Sequence, residues 1–451
     1  MKRSTILALG AGSLAGFAAV RASKSSRTVR LSSAGKHVVI LGGGFGGLSA
    51  ASKLIEMAGN QLRVTLIDQH NYHLFTPMLY QVATCGVVPY DVAIPLRSFT
   101  GPRGIRFRRA TVQGVDFENK QVQTDVGEIT YDYLIIALGS TTNYFGNESV
   151  REHTLPLKSL EGGLAVRNHV IDCLEQAAQI TNKDEQDKLL TFVVIGGGAT
   201  GVETAGALAD AIRHLIPRRY PALNKNDSRV IIIEAGAKLL AHMKSEMAQI
   251  ALRELKNAGV EVWLNTTATN VSNGNIETGD GRSMSAATVL WATGIRAADV
   301  VSELKTDHGK GGSINVNQFL RTRSHPEVFA IGDNAAAKSG KESVPALAAA
   351  AMQEGHAAAT NIVLLLQNKE PRRFQYKDLG SVVSVGHRVG VAEIAGRVIG
   401  GFSGWLAWRV IHLARITSFR NKVATVLDWS TGYFYDLDTA RLDVEAHEHA
   451  A

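Results

Sequence analysis

Two runs of apolar residues, far apart in the chain, each end in a glycine-rich turn. The run 37–41 is followed by Gly-Gly-Gly-Phe-Gly-Gly, and the run 191–195 by Gly-Gly-Gly-Ala-Thr-Gly. After each turn, the apolar spacing changes from that of a strand to that of a helix. A strand, a turn of closely spaced glycines and a helix begin a dinucleotide-binding βαβ unit. The pattern therefore predicts two such units.

The glycines of each turn have separate roles in such a unit. The first makes the tight turn, the second lets backbone N–H groups approach a diphosphate, and the third allows close helix–strand packing. We predict that one dinucleotide is bound by Gly42, Gly43, Gly44, Phe45, Gly46 and Gly47. A second dinucleotide is predicted to be bound by Gly196, Gly198 and Gly201.

Each unit continues into another apolar strand that ends in an acidic residue. The first of these strands ends at Asp68 and the second at Glu234. A carboxylate at this position accepts hydrogen bonds from the ribose 2′-OH of an adenosine. Because a carboxylate would repel a 2′-phosphate, Glu234 favours NADH over NADPH in the second unit.

Three further strand ends carry candidate cofactor contacts. One apolar strand in each unit runs into small residues, at Gly139 and at Gly294, where backbone can approach a cofactor. Another strand, 328–331, is followed by Gly-Asp and an alanine-rich helix. With a glycine-rich turn upstream, an acid in this position is suited to bind the ribityl hydroxyls of a flavin, and we predict this role for Asp333.

Composition limits the class of protein. Of the 451 residues, 45% are hydrophobic and 20% charged, which predicts a folded chain of two or three domains. The formal net charge is +7, but the basic residues carry no recognisable nucleic-acid motif. We therefore predict no nucleic-acid partner, and the charge favours an anionic membrane surface.

The two cysteines also exclude some chemistry. Cys85 and Cys173 are far apart and form no CxxC or CxxxxC pair. This spacing argues against a disulfide-reductase mechanism and against a zinc or iron–sulfur site. We expect two isolated thiols and no metal.

The N-terminal segment, residues 1–35, leaves three interpretations open. Two basic residues precede the apolar stretch 5–20, and a basic, serine-containing region without acids follows it. A spanning helix needs about 20 apolar residues, so this stretch is short for one. A signal anchor would keep the body of the protein on the cytoplasmic side, and an organelle transit peptide has the same acid-free composition.

Taken together, these residues resemble the two-dinucleotide-binding-domain flavoproteins, and specifically the type II NADH:quinone oxidoreductases. The resemblance covers roughly residues 36–435 and is carried by the segments 75–84 (Phe-Thr-Pro-Met-Leu-Tyr-Gln-Val-Ala-Thr), 201–206 (Gly-Val-Glu-Thr-Ala-Gly) and 404–422. It implies that the first segment packs beside the isoalloxazine and that Glu203 lies near flavin and quinone. The third, with two tryptophans and only basic charge, is similar to the family's membrane-docking helix.

The resemblance also implies further site residues. It places Gln69, Thr84, Ala348 and Ala349 at the cofactor, with Glu203 and Gln353 as catalytic residues. For Glu203, complementing a helix dipole from the first helical turn is the structural alternative; for Gln353, it is a polar helix position facing solvent.

The expected quinone pocket departs from the family pattern. The family's Ala-Gln pair reads Ala348-Ala349 here, the second Gln of its Gln-Gln-Gly is Glu354, and a later lysine falls at Val389. The departures are consistent with a different quinone, a different acceptor, or a pocket polarised by Glu354 and a basic residue such as Arg388.

The resemblance implies an α/β fold with two Rossmann-like domains and a C-terminal membrane-docking helical segment. We expect an N-terminal leader or anchor, a FAD-binding domain in two parts, an NADH-binding domain between them and a C-terminal membrane-association region. Their boundaries are 1–35, 36–150 and 298–375, 151–297, and 376–451.

The implied activity is transfer of hydride from NADH to FAD, and then of two electrons to a membrane quinone, without ion pumping. We expect a homodimer at the cytoplasmic face of the inner membrane, or at an organelle inner membrane if residues 1–35 are a transit peptide. The alternatives are a sulfide:quinone oxidoreductase, an NADH-dependent reductase of another acceptor, and a non-enzymatic FAD-binding redox sensor. The missing cysteine pair and Glu234 argue against the first.

Overall fold

The computed structural model describes residues 35–434 and 439–442. The predicted leader or anchor, apart from Gly35, lies outside the described residues. Among the described helices, none is both long and apolar enough to cross a membrane.

Strands form two large parallel sheets and several small antiparallel ones. In the described part of the chain they are β1 (Lys36–Leu41), β2 (Leu62–Asp68), β3 (Tyr72–Leu74), β4 (Ala93–Pro95), β5 (Arg106–Arg109), β6 (Val112–Asp116), β7 (Gln121–Thr124), β8 (Ile129–Thr130), β9 (Tyr133–Ile136), β10 (Ser140–Thr142), β11 (Leu155–Pro156), β12 (Thr191–Ile195), β13 (Arg229–Ile233), β14 (Val260–Trp263), β15 (Ala268–Ser272), β16 (Asn275–Thr278), β17 (Ser283–Ser285), β18 (Thr288–Trp291), β19 (Ile295–Ala297), β20 (Ile314–Asn315), β21 (Val328–Ala330), β22 (Ala335–Ala336), β23 (Lys338–Ser339), β24 (Glu342–Ser343), β25 (Val382–Gly386), β26 (Val389–Ile394) and β27 (Arg397–Gly400).

Helices cover the sheets and close the C-terminal region. Within the same described residues they are α1 (Phe45–Ala58), α2 (Leu79–Ala83), α3 (Pro89–Val92), α4 (Leu96–Thr100), α5 (Glu148–His153), α6 (Leu160–Ala177), α7 (Lys183–Leu189), α8 (Ala199–Arg219), α9 (Ser245–Asn257), α10 (Asp299–Glu303), α11 (Ala348–Leu366), α12 (Gly401–Arg415) and α13 (Phe419–Phe434).

The first parallel sheet has the order β21-β9-β1-β2-β5. Its central strand β1 pairs in parallel with both β2 and β9. Residues 38–41 of β1 are fully buried, as expected for a parallel strand covered on both faces. Helix α1 follows β1 and packs against α11, which places the first glycine turn at the carboxyl end of the central strand.

The second parallel sheet repeats this arrangement in the order β11-β18-β12-β13-β14. Here β12 takes the place of β1, β13 that of β2 and β18 that of β9, all in parallel register. In each unit an antiparallel three-stranded sheet follows the edge strand of the parallel sheet: β6-β7-β8 follows β5 in the first unit, and β15-β16-β17 follows β14 in the second. The two predicted dinucleotide-binding units are therefore confirmed as structural repeats.

Two antiparallel strands join the units. Ser140–Thr142 pairs with Ile295–Ala297, so the outgoing and returning chains cross between the units side by side. After the return, the chain completes the first sheet with β21. This path explains why the first unit is built from two separate parts of the sequence.

The C-terminal region differs from the prediction in one respect. Before the predicted helices, residues 382–400 form the antiparallel sheet β25-β26-β27, which packs with α8, α9 and α12. The close approach depends on small residues: a Cβ on Gly206 of α8 would lie 2.3 Å from the Val385 carbonyl oxygen. The sheet positions the C-terminal helices over the second unit.

Helix α8 also runs further than expected. Pro217 and Pro221 predict a helix break between Arg213 and Ser228, but the helix continues through Pro217 to Arg219. In the last turn a proline removes only one backbone hydrogen bond, so the helix ends two residues later instead.

Candidate functional site

The first glycine turn is tight on one side and open on the other. A Cβ on Gly42 would lie 2.2 Å from the Ala137 carbonyl oxygen, and one on Gly47 only 1.9 Å from the Gly42 carbonyl oxygen. A Cβ on Gly44 would meet nothing within 4 Å. Helix α1 starts there without a side-chain cap and without an acid in its first turn. Its N–H groups are thus available to an anion such as a diphosphate.

The second glycine turn has the same geometry. A Cβ on Gly201 would lie 1.8 Å from the Gly196 carbonyl oxygen, whereas one on Gly198 would meet nothing within 4 Å. Helix α8 also begins without a side-chain cap or an acid in its first turn. The two predicted cradles therefore both fit a dinucleotide diphosphate.

The acids at the ends of β2 and β13 are held in the same way. Asp68 accepts hydrogen bonds from the Gly43 N–H (2.6 Å) and the His70 N–H (2.8 Å). Glu234 accepts hydrogen bonds from the Gly197 N–H (2.6 Å) and the Gly236 N–H (2.6 Å). Burial raises the pKa of Asp68, while these backbone donors counteract the rise. Both carboxylates lie beside their glycine turns, where an adenosine ribose is expected.

The turn after β21 brings a third carboxylate to the first cradle. Asp333 accepts a hydrogen bond from the Ser140 hydroxyl (2.5 Å) and lies 3.5 Å from the Lys158 ammonium group. The buried Asn334 accepts a hydrogen bond from the Gly139 N–H (2.9 Å) and donates one to the Ile136 carbonyl (3.1 Å). Asn334, which the sequence analysis missed, thereby ties the Gly139 turn to the Asp333 turn.

The other predicted cofactor contacts have separate local environments. Gly139 and Gly294 both adopt positive φ, at +71° and +71°. Thr84 is buried, and its hydroxyl donates to the Tyr80 carbonyl (2.9 Å). Gln69 is exposed beside Asp68, and Ala348 and Ala349 form the uncapped N-terminus of α11. The ring of Phe45 contacts the ring of Phe75, with 5.7 Å between the centroids. Gly46 lies where helix α11 approaches closely.

Glu203 lies buried between the second unit and the C-terminal region. Its Oε1 accepts hydrogen bonds from the Trp408 indole N–H (2.7 Å) and the Ser384 N–H (3.2 Å). Its Oε2 has no hydrogen-bond partner among the described residues. Burial raises the pKa of Glu203 to about 8, against the opposing effect of these two donors. The group can therefore bind or release a proton near neutral pH.

This position also corrects the structural alternative for Glu203. The residue is the fifth of α8 rather than a member of the first turn. The uncapped N–H groups that favour an acid belong to the first turn, and the dipole effect falls off beyond it. Complementing the helix dipole therefore does not explain a buried carboxyl here.

Aromatic side chains surround Glu203 and link three parts of the chain. We call this group the Glu203 cluster, and it comprises Glu203, Tyr80, Gln81, Ser384, Trp408, His412 and Trp429. The ring of Trp408 stacks on His412 (4.1 Å between centroids) and meets Tyr80 edge-on (5.8 Å). The Gln81 amide donates to the Tyr80 hydroxyl (3.0 Å) and accepts from the Trp429 N–H (2.8 Å). The first unit, the second unit and both C-terminal helices thus meet at one acid.

Gln353 forms hydrogen bonds to the backbone through both ends of its side-chain amide. Its amide nitrogen donates to the Lys377 carbonyl (2.9 Å), and its amide oxygen accepts from the Lys377 N–H (2.9 Å). Both polar atoms are engaged with backbone, which is a structural role. The predicted hydrogen bond to quinone or flavin gains no support from these contacts and stays a prediction.

The neighbouring Glu354 faces the first cradle instead. It is buried, its carboxylate accepts a hydrogen bond from the Gly332 N–H, and it lines a small cavity of about 40 Å³ together with Asp333. Burial and, to a smaller extent, the Asp333 charge raise the pKa of Glu354 to about 7. Arg388, the basic residue considered for a polarised pocket with Glu354, lies in the turn between β25 and β26, beside His387.

The buried carboxyl of Asp91 was not predicted from the sequence. Asp91 of α3 is buried and faces Asp428 of α13, which in turn accepts a hydrogen bond from the Val88 N–H (2.9 Å). Burial and the nearby Asp428 raise the pKa of Asp91. Asn421 donates to the backbone carbonyls of Tyr90 and Asp91 on the same surface. No local sequence signal relates residues more than 300 positions apart, so only the fold reveals this contact.

The chain matches two described protein families in succession. Residues 36–355 match the pyridine nucleotide-disulphide oxidoreductases, and residues 379–436 match the NDH2 C-terminal domain. The first match covers both parallel sheets, and the second covers β25–β27 with both C-terminal helices. The two matches together span the glycine cradles and the C-terminal side of the Glu203 cluster.

Among relatives, the type II NADH:quinone oxidoreductase Ndh of Mycobacterium tuberculosis is 32% identical over 413 residues, which is 88% of this chain and 88% of the relative. Among solved structures, NDH2 from Plasmodium falciparum in complex with NADH has a TM-score of 0.82 at 20% identity, covering 90% of this chain and 99% of that one. The sulfide:quinone oxidoreductase from Aquifex aeolicus has a TM-score of 0.68 at 20% identity, covering 86% and 92%. At these identities the solved structures show the fold alone.

Proposed function

Because the chain belongs to the type II NADH:quinone oxidoreductases, we propose that it oxidises NADH through a bound FAD and delivers two electrons to a membrane quinone. The observation that carries the proposal is the pair of open glycine turns, each with an uncapped helix and a carboxylate held beside it. One chain that binds two dinucleotides in this way is suited to pass hydride from one to the other.

The residues of the first unit would hold the FAD. Gly42–Gly47 would bind its diphosphate, Asp68 its adenosine ribose and Asp333 its ribityl hydroxyls. The bound flavin accepts two electrons as hydride and passes them to an acceptor, which NADH alone does inefficiently. Ser140 would hold the Asp333 carboxylate, and Asn334 would hold the turn that carries it against the Gly139 turn.

The residues of the second unit would bind NADH and release NAD⁺. Gly196, Gly198 and Gly201 would bind the diphosphate, and Glu234 would accept hydrogen bonds from the ribose hydroxyls. Because Glu234 would repel a 2′-phosphate, we expect NADH to be used in preference to NADPH.

Glu203 is the proposed proton-exchanging group. Reducing a quinone to a quinol consumes two protons, and a buried acid with a pKa of about 8 is able to supply one at neutral pH. Its free Oε2 is the atom available for this exchange, while Trp408 and Ser384 hold Oε1. Glu203 would then be reprotonated from water.

The C-terminal helices are the proposed membrane-facing surface. Helix α12 exposes Phe402, Leu406 and Val410, spaced four residues apart along one stripe, and α13 exposes Phe419 and Leu427. Basic residues and no acids accompany the α12 stripe in the sequence. An amphipathic helix pair of this kind is suited to lie in the interface of an anionic bilayer.

The location and the assembly of the protein are two further proposals. We propose a peripheral protein on the cytoplasmic face of the inner membrane, or on an organelle inner membrane if residues 1–35 are a transit peptide. The homodimer implied by the resemblance is retained as a proposal.

Sulfide:quinone oxidation is less well supported. It would need cysteines that hold the sulfide sulfur, but Cys173 is buried, and burial raises the pKa of its thiol to about 11. A thiol of that pKa is a poor nucleophile at neutral pH.

Anaerobic stopped-flow measurements on FAD-loaded protein test the proposal. We expect rapid bleaching of the flavin by NADH, much slower bleaching by NADPH, and rapid reoxidation by a short-chain ubiquinone or menaquinone. Bleaching without reoxidation by quinone would indicate another acceptor. Failure of NADH to bleach the flavin would refute the proposal, and sulfide in place of NADH serves as the control for the alternative.

A further inference from the structure

Glu354 is a buried carboxyl beside the first cradle, and the steps described above give it no role. The residue is 2% exposed, and its Oε2 accepts a hydrogen bond from the Gly332 N–H. Gly332 begins the turn that carries Asp333, and it adopts a positive φ of +73°. The carboxyl of Glu354 therefore holds the turn that is proposed to bind the ribityl chain.

The helix turn that carries Glu354 also packs against the proposed diphosphate-binding turn. A Cβ on Gly355 of α11 would lie 2.3 Å from the Gly46 carbonyl oxygen, and one on Gly46 would lie 3.2 Å from the Ala351 carbonyl oxygen. Residues 351–355 therefore contact both turns of the first cradle. Glu354 lies next to the backbone that is proposed to bind the diphosphate and the ribityl chain.

The space beside Glu354 is small and is shared with a second carboxylate. Glu354 and Asp333 line the same cavity of about 40 Å³, together with Ala351 and residues 344–347. The segment 344–347 is Val-Pro-Ala-Leu and brings no charged side chain. A cavity of this size holds little water, so the two carboxylates are poorly screened from each other.

The nearest charge therefore disfavours an ionised Glu354. Burial, and then the charge of Asp333, raises the pKa of Glu354 to about 7. Lys158 lies 3.5 Å from Asp333 and offsets part of that charge from the far side. Glu354 consequently titrates close to neutral pH in the protein without a dinucleotide.

The charged groups of the other helix that packs on α11 are directed elsewhere. Lys53 and Glu56 of α1 pair with each other at 2.6 Å, and both act on His356 of α11. Neither is among the groups that shift the pKa of Glu354. Asp333 is thus the charge that acts on Glu354 directly.

We propose that Glu354 carries a proton while FAD is bound, so that FAD binding is coupled to the uptake of one proton by this carboxyl. This inference rests on the assignment of FAD to the first cradle in the proposed function. A dinucleotide brings a negatively charged diphosphate to a site that already holds the Asp333 carboxylate. An ionised Glu354 would add a further buried charge of the same sign, which is unfavourable, whereas a protonated one adds none.

Protonation preserves the contact that Glu354 makes. The carbonyl oxygen of a neutral carboxyl still accepts a hydrogen bond from the Gly332 N–H, and its O–H becomes an additional donor. The proton comes from solvent and stays on Glu354, and no bond to the cofactor is formed or broken. Glu354 is therefore a positioning residue that holds the Asp333 turn without repelling an anionic ligand.

The direction of the pH dependence follows from this coupling. Below the pKa of about 7, Glu354 is protonated with or without FAD, so its contribution to the affinity is constant. Above it, the protein without FAD has lost the proton and must regain it on binding, so the affinity falls by up to about tenfold per pH unit. The fall ends at the higher pKa that Glu354 has in the FAD complex.

The affinity for FAD at different pH values tests the proposal. Dilution series of the FAD-loaded protein give the Kd from the fluorescence of the released flavin. From pH 6.5 to pH 8.5 we expect the Kd of the wild type to rise about tenfold or more. In Glu354→Gln, which keeps an oxygen acceptor for Gly332 and cannot ionise, the rise should stay within about threefold. The control Glu342→Gln removes the charge of an exposed side chain on β24 and should follow the wild type.

Counting protons checks the same coupling without a variant. When FAD dissociates from the wild type in a weakly buffered solution, a pH indicator reports the protons that leave with it. The number released at pH 8 should exceed the number at pH 6 by about one proton per FAD. The same excess should be absent from Glu354→Gln and present in Glu342→Gln.

Equal pH dependences of the Kd in the wild type and in Glu354→Gln would overturn the inference, because another group would then carry the dependence. If Glu354→Gln does not retain FAD at any pH, the proton count of the wild type decides. FAD release without the additional proton at pH 8 would contradict the coupling. Failure of the proposed function has a different signature, namely FAD-loaded protein that NADH does not bleach at either pH.

Discussion

The two nucleotide-binding units share their cradles but differ in what covers the helix that follows. In register from Gly42 to Gly196, Ser49 of α1 corresponds to Glu203 of α8. Ser49 donates a hydrogen bond to the Met352 carbonyl (2.7 Å) of the covering helix α11. Glu203 is covered by β25 and α12 and is buried against Trp408. The same backbone unit therefore forms only a dinucleotide cradle in the first unit. In the second unit it forms a cradle with a buried acid on the following helix.

The segments that cover the two helices, rather than the repeated cradles, therefore create the difference in chemistry. A sheet strand and a tryptophan-rich helix remove Glu203 from water and raise its pKa to about 8. The α11 cover of the first unit contributes Glu354 to the Gly332 turn, and its N-terminus remains open. Both units are built to bind a dinucleotide, and the different segments packed on their helices determine where protons are exchanged.

The largest effect on cofactor binding is expected when a methyl group is added to the glycine that packs closely against either glycine turn. In Gly47→Ala and Gly201→Ala, the new methyl group would meet a carbonyl oxygen at less than 2 Å. We expect Gly47→Ala to purify without flavin. Gly201→Ala should keep its flavin and lose NADH affinity by about a hundredfold, because overpacking costs about 1–3 kcal/mol or more.

The flavin absorbance of the purified variants and an NADH titration of bleaching measure both effects. Gly101→Ala is the control, since its Cβ would meet nothing within 4 Å and its φ is −57°. Loss of flavin from Gly201→Ala, with retention in Gly47→Ala, would reverse the proposed assignment of the two cradles.

The next largest effect concerns Glu203, the buried acid of the second unit. The folded-state pKa of Glu203, about 8, lies above its ordinary value of 4.5. Between these two pH values the folded state binds the extra proton, so stability falls as pH rises, by about 1.4 kcal/mol per pH unit. Glu203→Gln keeps an oxygen acceptor for Trp408 and Ser384 without this titration.

Urea unfolding at pH 5, 6.5 and 8 checks this prediction. The stability of Glu203→Gln relative to the wild type should increase with pH across this window, while its quinone reduction falls about tenfold or more. Parallel pH dependences for the two proteins would show that Glu203 does not titrate in this range.

A smaller effect is expected where helix α13 of the C-terminal region packs against helix α3 of the first unit. Burial and Asp428 raise the pKa of Asp91, so Asp91 keeps its proton at low pH, and its ionisation at higher pH places a negative charge against Asp428. Asp91→Asn removes the repulsion, and we expect it to stabilise the docking of α13 by about 1 kcal/mol above neutral pH.

Hydrogen exchange of the α13 amides at pH 6 and pH 8 measures this docking. Slower exchange in Asp91→Asn at pH 8, with little change at pH 6, is the expected pattern. The control Ser430→Ala removes only a local hydrogen bond to the Val426 carbonyl within α13. Faster exchange in Asp91→Asn at pH 8 would contradict the expected repulsion between Asp91 and Asp428.

The smallest effect belongs to the counterpart of Glu203 in the first unit. Ser49→Ala removes one partly exposed hydrogen bond, worth about 0.5 kcal/mol. Thermal unfolding should shift slightly, and NADH oxidation with quinone should be unchanged. A tenfold loss of activity would contradict this difference between the two units. It would give the first unit's helix a role that its contacts do not indicate.

The parts that the sequence predicted depend on residues close together in the chain. Each strand, glycine turn, helix and terminal acid lies within about 40 residues, from Gly42 to Asp68 and from Gly196 to Glu234. Their backbone requirements are local, since a tight turn and a close helix need glycine wherever the unit occurs. The structure places these residues as predicted.

The partners of Glu203 lie far away in the sequence and could not be predicted in this way. Ser384 is 181 residues from Glu203, and Trp408 is 205 residues away. The pattern of short strands in 382–400 was also missed, because glycines and turns interrupt it. For Gln353 the helix was expected, but its pairing with the Lys377 backbone depends on how a following loop folds back.

A crystal structure of the protein with FAD and NADH would show directly whether the two similar cradles hold different dinucleotides. We expect the FAD diphosphate at Gly42–Gly47 with its ribityl chain at Asp333, and the NADH ribose at Glu234. The nicotinamide should lie against the flavin, on the side of the second unit. Density for NADH at Asp68, or for FAD at Gly196–Gly201, would contradict it.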